Sequence, residues 1–253
     1  MSFQGLFLRL NVRLSYHKPD MKRILIKLSG EMLSEPGERG IDPERATLTA
    51  EKLLRIQATG VQVAVVIGGG NILRGQELAS LGLGRTEADQ MGMLATLMNG
   101  TVLKDAVTRL GGKAHLFSAL ECPKVADSFS KDKAVTALKN NEMTIFVGGV
   151  GAPFFTTDTA AALRASELEV DLLAKATKVD GVYDKNPKEK GAKKLDMITW
   201  EEFINKELQV MDQTAVQLCK NQGIPIFVFN MKHLGETPIN KLISNKEGTL
   251  IKG

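Results

Sequence analysis

Apolar positions along this chain fall into short unbroken runs separated by longer stretches of mixed polarity. Met21–Leu28, Val63–Ile67, Lys113–Ser118, Met143–Val147, Leu172–Lys175, Ile224–Asn230 and Glu247–Ile251 read as strands. Several of these, Val63–Ile67 above all, are apolar at successive positions. Both faces of such strands must then be covered, as in a parallel sheet between helical layers. The intervening stretches predict helices over 43–59, from about Asn71, over 86–110, 131–140, 157–168, 199–206 and 210–222. Asp42-Pro43 is a helix start, with a capping carboxylate ahead of a proline at the first helical position. Asp212 has the look of a second cap. Ala176–Lys194 reads as a polar loop. Strand, helix and strand alternate with no break in composition after residue 21. The pattern predicts a single α/β unit, with a predominantly parallel central sheet and helices on both faces.

Two of the strands end in glycine. Val63–Ile67 runs into Gly68-Gly69-Gly70, and Met143–Val147 into Gly148-Gly149-Val150-Gly151. Glycines at a strand end let backbone N–H groups approach a ligand and permit positive φ. A helix starting near Asn71 would add its positive end, and Arg74 follows within a turn, so the expected ligand is an anion, most simply phosphate. The alternative is a strand-to-helix turn that binds nothing. The familiar phosphate motifs are missing. There is no Gly-x-x-x-x-Gly-Lys-Ser/Thr, and the third glycine of the dinucleotide fingerprint is replaced by Leu73 in one turn and Phe154 in the other. No Gly-x-Ser-x-Gly elbow exists. The three histidines, His17, His115 and His233, lack metal-ligand spacing, and no metal site is expected in the protein itself. Phosphoryl transfer tolerates this lack of bases, because positioning and charge neutralisation do most of its work. A phosphate acceptor is already ionised and needs no proton removed.

Composition narrows the field further. With 253 residues, 43% apolar and 25% charged, the chain suits a folded domain with a substantial core. Aromatics at 5% argue against stacking platforms for single-stranded nucleic acid, and no basic block suggests a nucleic-acid arm. A net charge of +4 suits an anionic substrate. Cys122 and Cys219 lie far apart, as reduced cysteines of a cytoplasmic protein would. No run approaches the roughly 18 apolar residues that a membrane span needs. Residues 1–20, basic at Arg9, Arg13 and Lys18, are read as a peripheral extension rather than a targeting segment.

Five segments in order carry a resemblance. Lys27-Leu28-Ser29-Gly30, Val65–Arg74, Asp89–Thr96, Pro153–Asp158 and Lys175–Tyr183, with Glu247–Ile251 closing the chain, resemble the bacterial uridylate kinases. These form the UMP-specific branch of the amino acid kinase family, unrelated in fold to P-loop nucleoside monophosphate kinases. The likeness runs collinearly from about Met21 to Gly253. It implies a three-layer sandwich, with an acceptor lobe over about 21–165 and an ATP lobe over about 166–253. It also implies ATP-dependent phosphorylation of UMP to UDP, with Mg²⁺ carried by the nucleotide.

Site residues follow from the same resemblance. Lys27, Arg74 and Asp212 would be catalytic, Asp212 by orienting the active-site lysine. ATP would meet Lys27, Leu28, Ser29, Gly30, Gly70, Arg74, Thr177, Tyr183 and Asn186. UMP would meet Gly69, Asp89 and the loop Gly149, Val150, Gly151, Ala152, Pro153, Phe154, Phe155 and Thr156, with at least one of the two phenylalanines in the core. Asp158 would join a polar network beneath the transferred phosphate. A homohexamer with GTP activation and UTP inhibition is also implied, without nucleic-acid or membrane partners. Read without the family, Lys27 could be a solvated strand-end lysine and Asp89 a helix-start carboxylate.

The chain departs from the family pattern at Val150 and Ala152, where threonine and asparagine are more usual, and at Asn186, which replaces an aspartate. The first two changes remove side-chain hydrogen-bonding groups from the acceptor loop. Other acceptors on the same fold are acetylglutamate, glutamate, aspartate and carbamate. A nucleotide sensor without turnover is the alternative from a different class, and a nicotinamide oxidoreductase the weakest.

Overall fold

A computed structural model of the protein describes residues 21–73 and 82–253. Strand β1, Arg23–Leu28, leads through a 3-10 turn, Gly30–Leu33, to helix α1, Pro43–Gln57, and then to β2, Gln62–Ile67. Helix α2, Arg85–Arg109, precedes β3, Ala114–Ser118, and the short β4, Asp127–Ser128. Next come α3, Lys131–Lys139; β5, Met143–Val147; α4, Thr157–Glu167; and β6, Leu172–Thr177. The two-residue strands β7, Val182–Tyr183, β8, Lys194–Leu195, and β9, Met197–Ile198, follow. The chain closes with α5, Trp200–Asn205; α6, Gln213–Gln222; β10, Ile226–Asn230; α7, Ile239–Ser244; and β11, Gly248–Ile251.

Nine strands make one sheet in the order β4-β3-β5-β2-β1-β6-β10-β11-β9. Every neighbouring pair is parallel except β10 with β11. Alternation along the strands divides the core in two. Ile24, Ile26 and Leu28 with Val63, Val65 and Ile67 face α1, α2 and α7. Leu25, Ala64 and Val66 face α3, α4, α5 and α6. The expected three-layer α/β arrangement is therefore present, and it accounts for the runs that are apolar at every position. Ala160, Ala161, Ala162 and Ala165 are all buried, so α4 lies close against the centre of the sheet.

The helix start at Asp42 forms as expected, its carboxylate accepting from Glu44 N at 2.7 Å and Arg45 N at 3.4 Å. Elsewhere the chain differs from its pattern. Asn71 and Ile72 form a turn rather than a helix start, and the next helix among the described residues begins only at Arg85, capped by Gly84 without a side-chain bond. The polar stretch after Ala176 contains the small antiparallel pair β7–β8. Helix α6 starts at Gln213, three residues later than expected, because Asp212 takes the cap position. Residues 1–20 and Arg74 lie outside the described residues.

Candidate active site

Order in the sheet places the site. β1 lies between β2 and β6, and the chain fills the β2 side before crossing over to β6. In an open parallel sheet, ligands settle beyond the carboxyl ends of the strands at such a reversal. Lys27, one residue from the end of β1, is in register with Val66 on one side and Lys175 of β6 on the other. Both lysines point to the α4 face, because Ile26 and Leu28 and likewise Ala174 and Ala176 take the opposite one.

Between the lysines stands Asp158, in the first turn of α4. Its Oδ1 lies 3.0 Å from Lys27 Nζ, and its Oδ2 accepts a hydrogen bond from Lys175 Nζ. Lys175 Nζ also donates to the Val210 carbonyl at 2.6 Å. Asp158 is 8% exposed and Lys175 7%. Burial pushes the Asp158 carboxyl up, but the Lys27 and Lys175 charges outweigh it and hold the group below the ordinary carboxylate value. Burial dominates at Lys175 and draws its ammonium down from the usual lysine value, against the pull of Asp158. Two ammonium groups therefore share one carboxylate at the mouth of the sheet. Asp212 adds a second negative charge to the field at Lys175, so the cation of this cluster most open to an anion is Lys27.

The two glycine turns flank this cluster. Gly68, Gly69 and Gly70 do not adopt positive φ; what they contribute is the missing side chain. A Cβ on Gly69 would stand 2.8 Å from the Ala95 side chain and from the Gly92 carbonyl, whereas one on Gly70 would meet nothing within 4 Å. Gly70 thus opens onto the cleft and Gly69 fits against α2. Positive φ belongs to the second turn, with Gly148 at 78°, Gly149 at 59° and Gly151 at 83°. Thr96 on α2 accepts from Gly148 N at 2.7 Å and so holds that turn in place.

Asp89, in the first turns of α2, accepts from the Phe154 backbone N–H and from Arg85 Nε, each at 2.8 Å. It thereby joins the acceptor-loop candidates 149–156 to α2 and to the Gly69 turn. Phe154 has φ of 72°. The expectation of a core phenylalanine fails: Phe154 is 63% exposed and Phe155 51%. Backbone at 154 is turned by the Asp89 bond, and the following Thr156 is committed to capping α4, so both rings are left outside. Val150 is partly buried against the α4-side core, consistent with its apolar replacement of a polar residue.

Thr156 accepts from Asp158 N at 3.1 Å and donates to Asp212. Asp212 also accepts from Thr159 Oγ1 at 3.0 Å and caps α6 through Ala215 N at 2.7 Å. Asp212 therefore joins the starts of α4 and α6, and the carboxylate that touches Lys27 is Asp158. The resemblance gave that orienting role to Asp212. Ser29 caps the turn after β1, accepting from Glu31 N at 3.4 Å, beside Leu28 and Gly30. Thr177 ends β6 and Tyr183 lies in β7, while Asn186 closes a local turn by accepting from Lys188 N at 3.0 Å.

Lys175 was missing from the sequence-derived site, although a lysine inside the apolar run Leu172–Ala176 was a usable signal, since buried lysines are rare unless paired. A cleft of about 350 Å³ opens beside Gly70, bordered by Arg39, Arg45 and Lys178 and equally by Glu31, Glu35 and Glu38. A roomier groove of about 520 Å³ beside α3 is lined by Asp127, Asp132 and Glu142 against Lys133 and His115, an excess of carboxylates that disfavours a phosphate.

Comparison with known proteins bears on the family and the fold. The model of the amino acid kinase family matches residues 22–230. A uridylate kinase of Protochlamydia amoebophila is 50% identical over 232 residues, covering 91% of this chain and 92% of that protein. One of Pseudomonas aeruginosa is 45% identical over 241 residues, covering 95% and 98%. Among solved structures, the UMP kinase of Bacillus anthracis superposes with a TM-score of 0.86 at 34% identity, covering 92% of this chain and 97% of that one. That of Ureaplasma parvum gives 0.84 at 35% identity, covering 93% and 100%. Matched across most of its length in sequence and in fold, the chain belongs to the amino acid kinase family.

Proposed function

We propose that this protein transfers the γ-phosphoryl group of ATP to UMP, giving UDP and ADP. The observation that carries the reading is the Lys27–Asp158–Lys175 cluster between two glycine turns. A UMP phosphate oxygen attacks the γ-phosphorus, and the bond to the β–γ bridging oxygen breaks with its electrons leaving on ADP. Charge grows on the bridging oxygen and the equatorial oxygens, and the two ammonium groups stand ready to meet it. No base is required, because the acceptor is already an anion. Arg74, which follows the first turn in sequence, belongs to the same proposal.

Mg²⁺ is proposed as part of the donor. Among the described residues no three His, Cys, Asp or Glu side chains converge on a cation, and Asp158 is already committed to two lysines. That donor set suits a cation held by the nucleotide phosphates, where it would neutralise β and γ oxygens.

ATP is assigned to the cleft edge formed by Lys27–Gly30, Gly70, Thr177, Tyr183 and Asn186, and UMP to Gly69, Asp89 and 149–156. The lobes at about 21–165 and 166–253 then meet at the β1–β6 boundary of the sheet. We propose self-association too, to a homohexamer. Leu94 and Met98, one turn apart on α2, are about half exposed, an apolar stripe of the kind that subunits cover. GTP activation, UTP inhibition and a cytoplasmic location rest on the family resemblance. Among the described residues no helix is long and apolar enough to cross a membrane.

The deciding experiment is ADP release from Mg·ATP with UMP, CMP, glutamate, N-acetylglutamate, aspartate and carbamate offered separately. Turnover with UMP alone is expected. Turnover with an amino acid would keep the family and overturn the assignment of 149–156. UMP binding without turnover would favour a sensor.

A further inference from the structure

Behind the first glycine turn lie two buried asparagines with no evident place in ligand contact. Asn71 is 2% exposed and Asn99, in the middle of α2, is fully buried. Their side chains face each other. Asn99 Nδ2 donates to Asn71 Oδ1 at 2.7 Å, and Asn71 Nδ2 returns a bond to Asn99 Oδ1 at 3.1 Å. Each amide spends its second hydrogen on backbone. Asn99 Nδ2 donates to the Gly68 carbonyl at 2.7 Å and Asn71 Nδ2 to the Gly40 carbonyl at 2.7 Å. All four amide hydrogens are thus used, in a place where an unmade hydrogen bond would be costly.

Gly30 leaves room for the pair. A Cβ there would stand 2.2 Å from Asn71 Oδ1, 2.6 Å from Gly68 O and 2.8 Å from Asn99 Nδ2. The network therefore packs directly under the residues that follow β1 and β2, where donor and acceptor phosphates are proposed to meet. Peptide planarity supplies the consequence. A Gly68 carbonyl pinned by Asn99 fixes the Gly68–Gly69 peptide plane, and so aims the Gly69 N–H to the opposite side.

We infer that the Asn71–Asn99 amide pair is a positioning device for phosphoryl transfer, which holds the Gly69 N–H of the glycine turn toward the reacting phosphates. The inference rests on the proposed UMP kinase activity. Asn71 edges the cleft beside Gly70 with both amide hydrogens already spent, and Asn99 is fully buried, so neither is assigned a substrate contact. Their effect falls on the transition state, where a misdirected N–H is felt most, rather than on capture of UMP.

The test compares Asn99→Asp and Asn99→Leu with the unaltered chain, counting competent sites by UMP titration calorimetry. Expected is a fall in kcat per competent site of about tenfold or more, with the KM for UMP changed less than about threefold. A pH profile separates positioning from simple loss of packing. In Asn99→Asp the new carboxyl cannot donate to Gly68 when ionised but can when protonated, and burial raises its pKa. Its kcat relative to the unaltered chain should rise about threefold or more from pH 8 to pH 6, and that of Asn99→Leu should stay flat. Should Asn99→Asp fail to fold, Asn99→Ser takes its place, with kcat per site expected to fall about fivefold or more. Wild-type kcat per site in whichever variants fold overturns the inference, as does a loss equal and pH-independent in Asn99→Asp and Asn99→Leu. An unaltered chain that does not turn over UMP overturns the activity itself and the inference with it, a result distinct from active wild type beside indifferent variants.

Discussion

Lys27 and Lys175 stand on adjacent strands and depend on one carboxylate, so substitutions at the three positions should have different signatures. Lys27→Ala removes charge from the proposed γ-phosphoryl path and leaves Asp158 paired with Lys175. It should lower kcat by about 10²–10³-fold with little change in thermal stability, a split that kinetics and calorimetry together report. Asp158→Ala strips the shared partner from the buried Lys175 ammonium and the partly buried Lys27 one and should destabilise the fold by about 3–5 kcal/mol in denaturant titration. The pH dependence has a definite sign. A carboxyl held below its ordinary value of 3.8 stabilises the fold at pH values above that figure. The contribution disappears as pH falls through the depressed folded value. The stability gap between the unaltered chain and Asp158→Asn should therefore be full at pH 7 and close only in acid. Asp89→Ala should raise the KM for UMP; an unchanged KM would remove Asp89 from the acceptor site.

Helix starts are where local signals did best, and the reason is that capping is settled by neighbours in sequence. Asp42 satisfies α1 with no help from the sheet, and Asp42→Ala should cost about 1 kcal/mol in denaturant midpoint measurements. Asp212 also reads locally as a cap, yet its second oxygen takes hydroxyl bonds from Thr156 and Thr159 on a different helix. Its loss should exceed that of an ordinary cap and should loosen 149–156. Strand positions were legible because a strand covered on both faces must be apolar throughout. Short elements were not: β4, β9 and the β7–β8 pair are two residues each, and their pairing comes from distant partners. The turn at Asn71 and Ile72 misled as a helix start because its asparagine is occupied by Asn99, twenty-eight positions on.

At the scale of the molecule, β1 and β6 lie side by side in a single sheet, and the exposed Leu94 and Met98 of α2 lie outside both core clusters. Leu94→Glu with Met98→Glu should lower the oligomeric state in light scattering, and a protein that is monomeric before the change would refute the hexamer. Several features were determined by the chain's order of residues alone. They are the alternation of strand and helix, the two strand-ending glycine turns, the candidacy of Lys27 and the family itself, since each is a pattern of near neighbours or of segments in fixed sequence. Tertiary structure decided which carboxylate serves the lysines, that Lys175 joins Lys27, that both Phe154 and Phe155 lie outside the core, and that Asn71 meets Asn99. Those outcomes depend on which strands become neighbours. Parallel strands in register bring residues 27, 66 and 175 side by side across well over a hundred positions. Only burial in that shared interior gives a lone lysine or an asparagine amide the need for a particular partner.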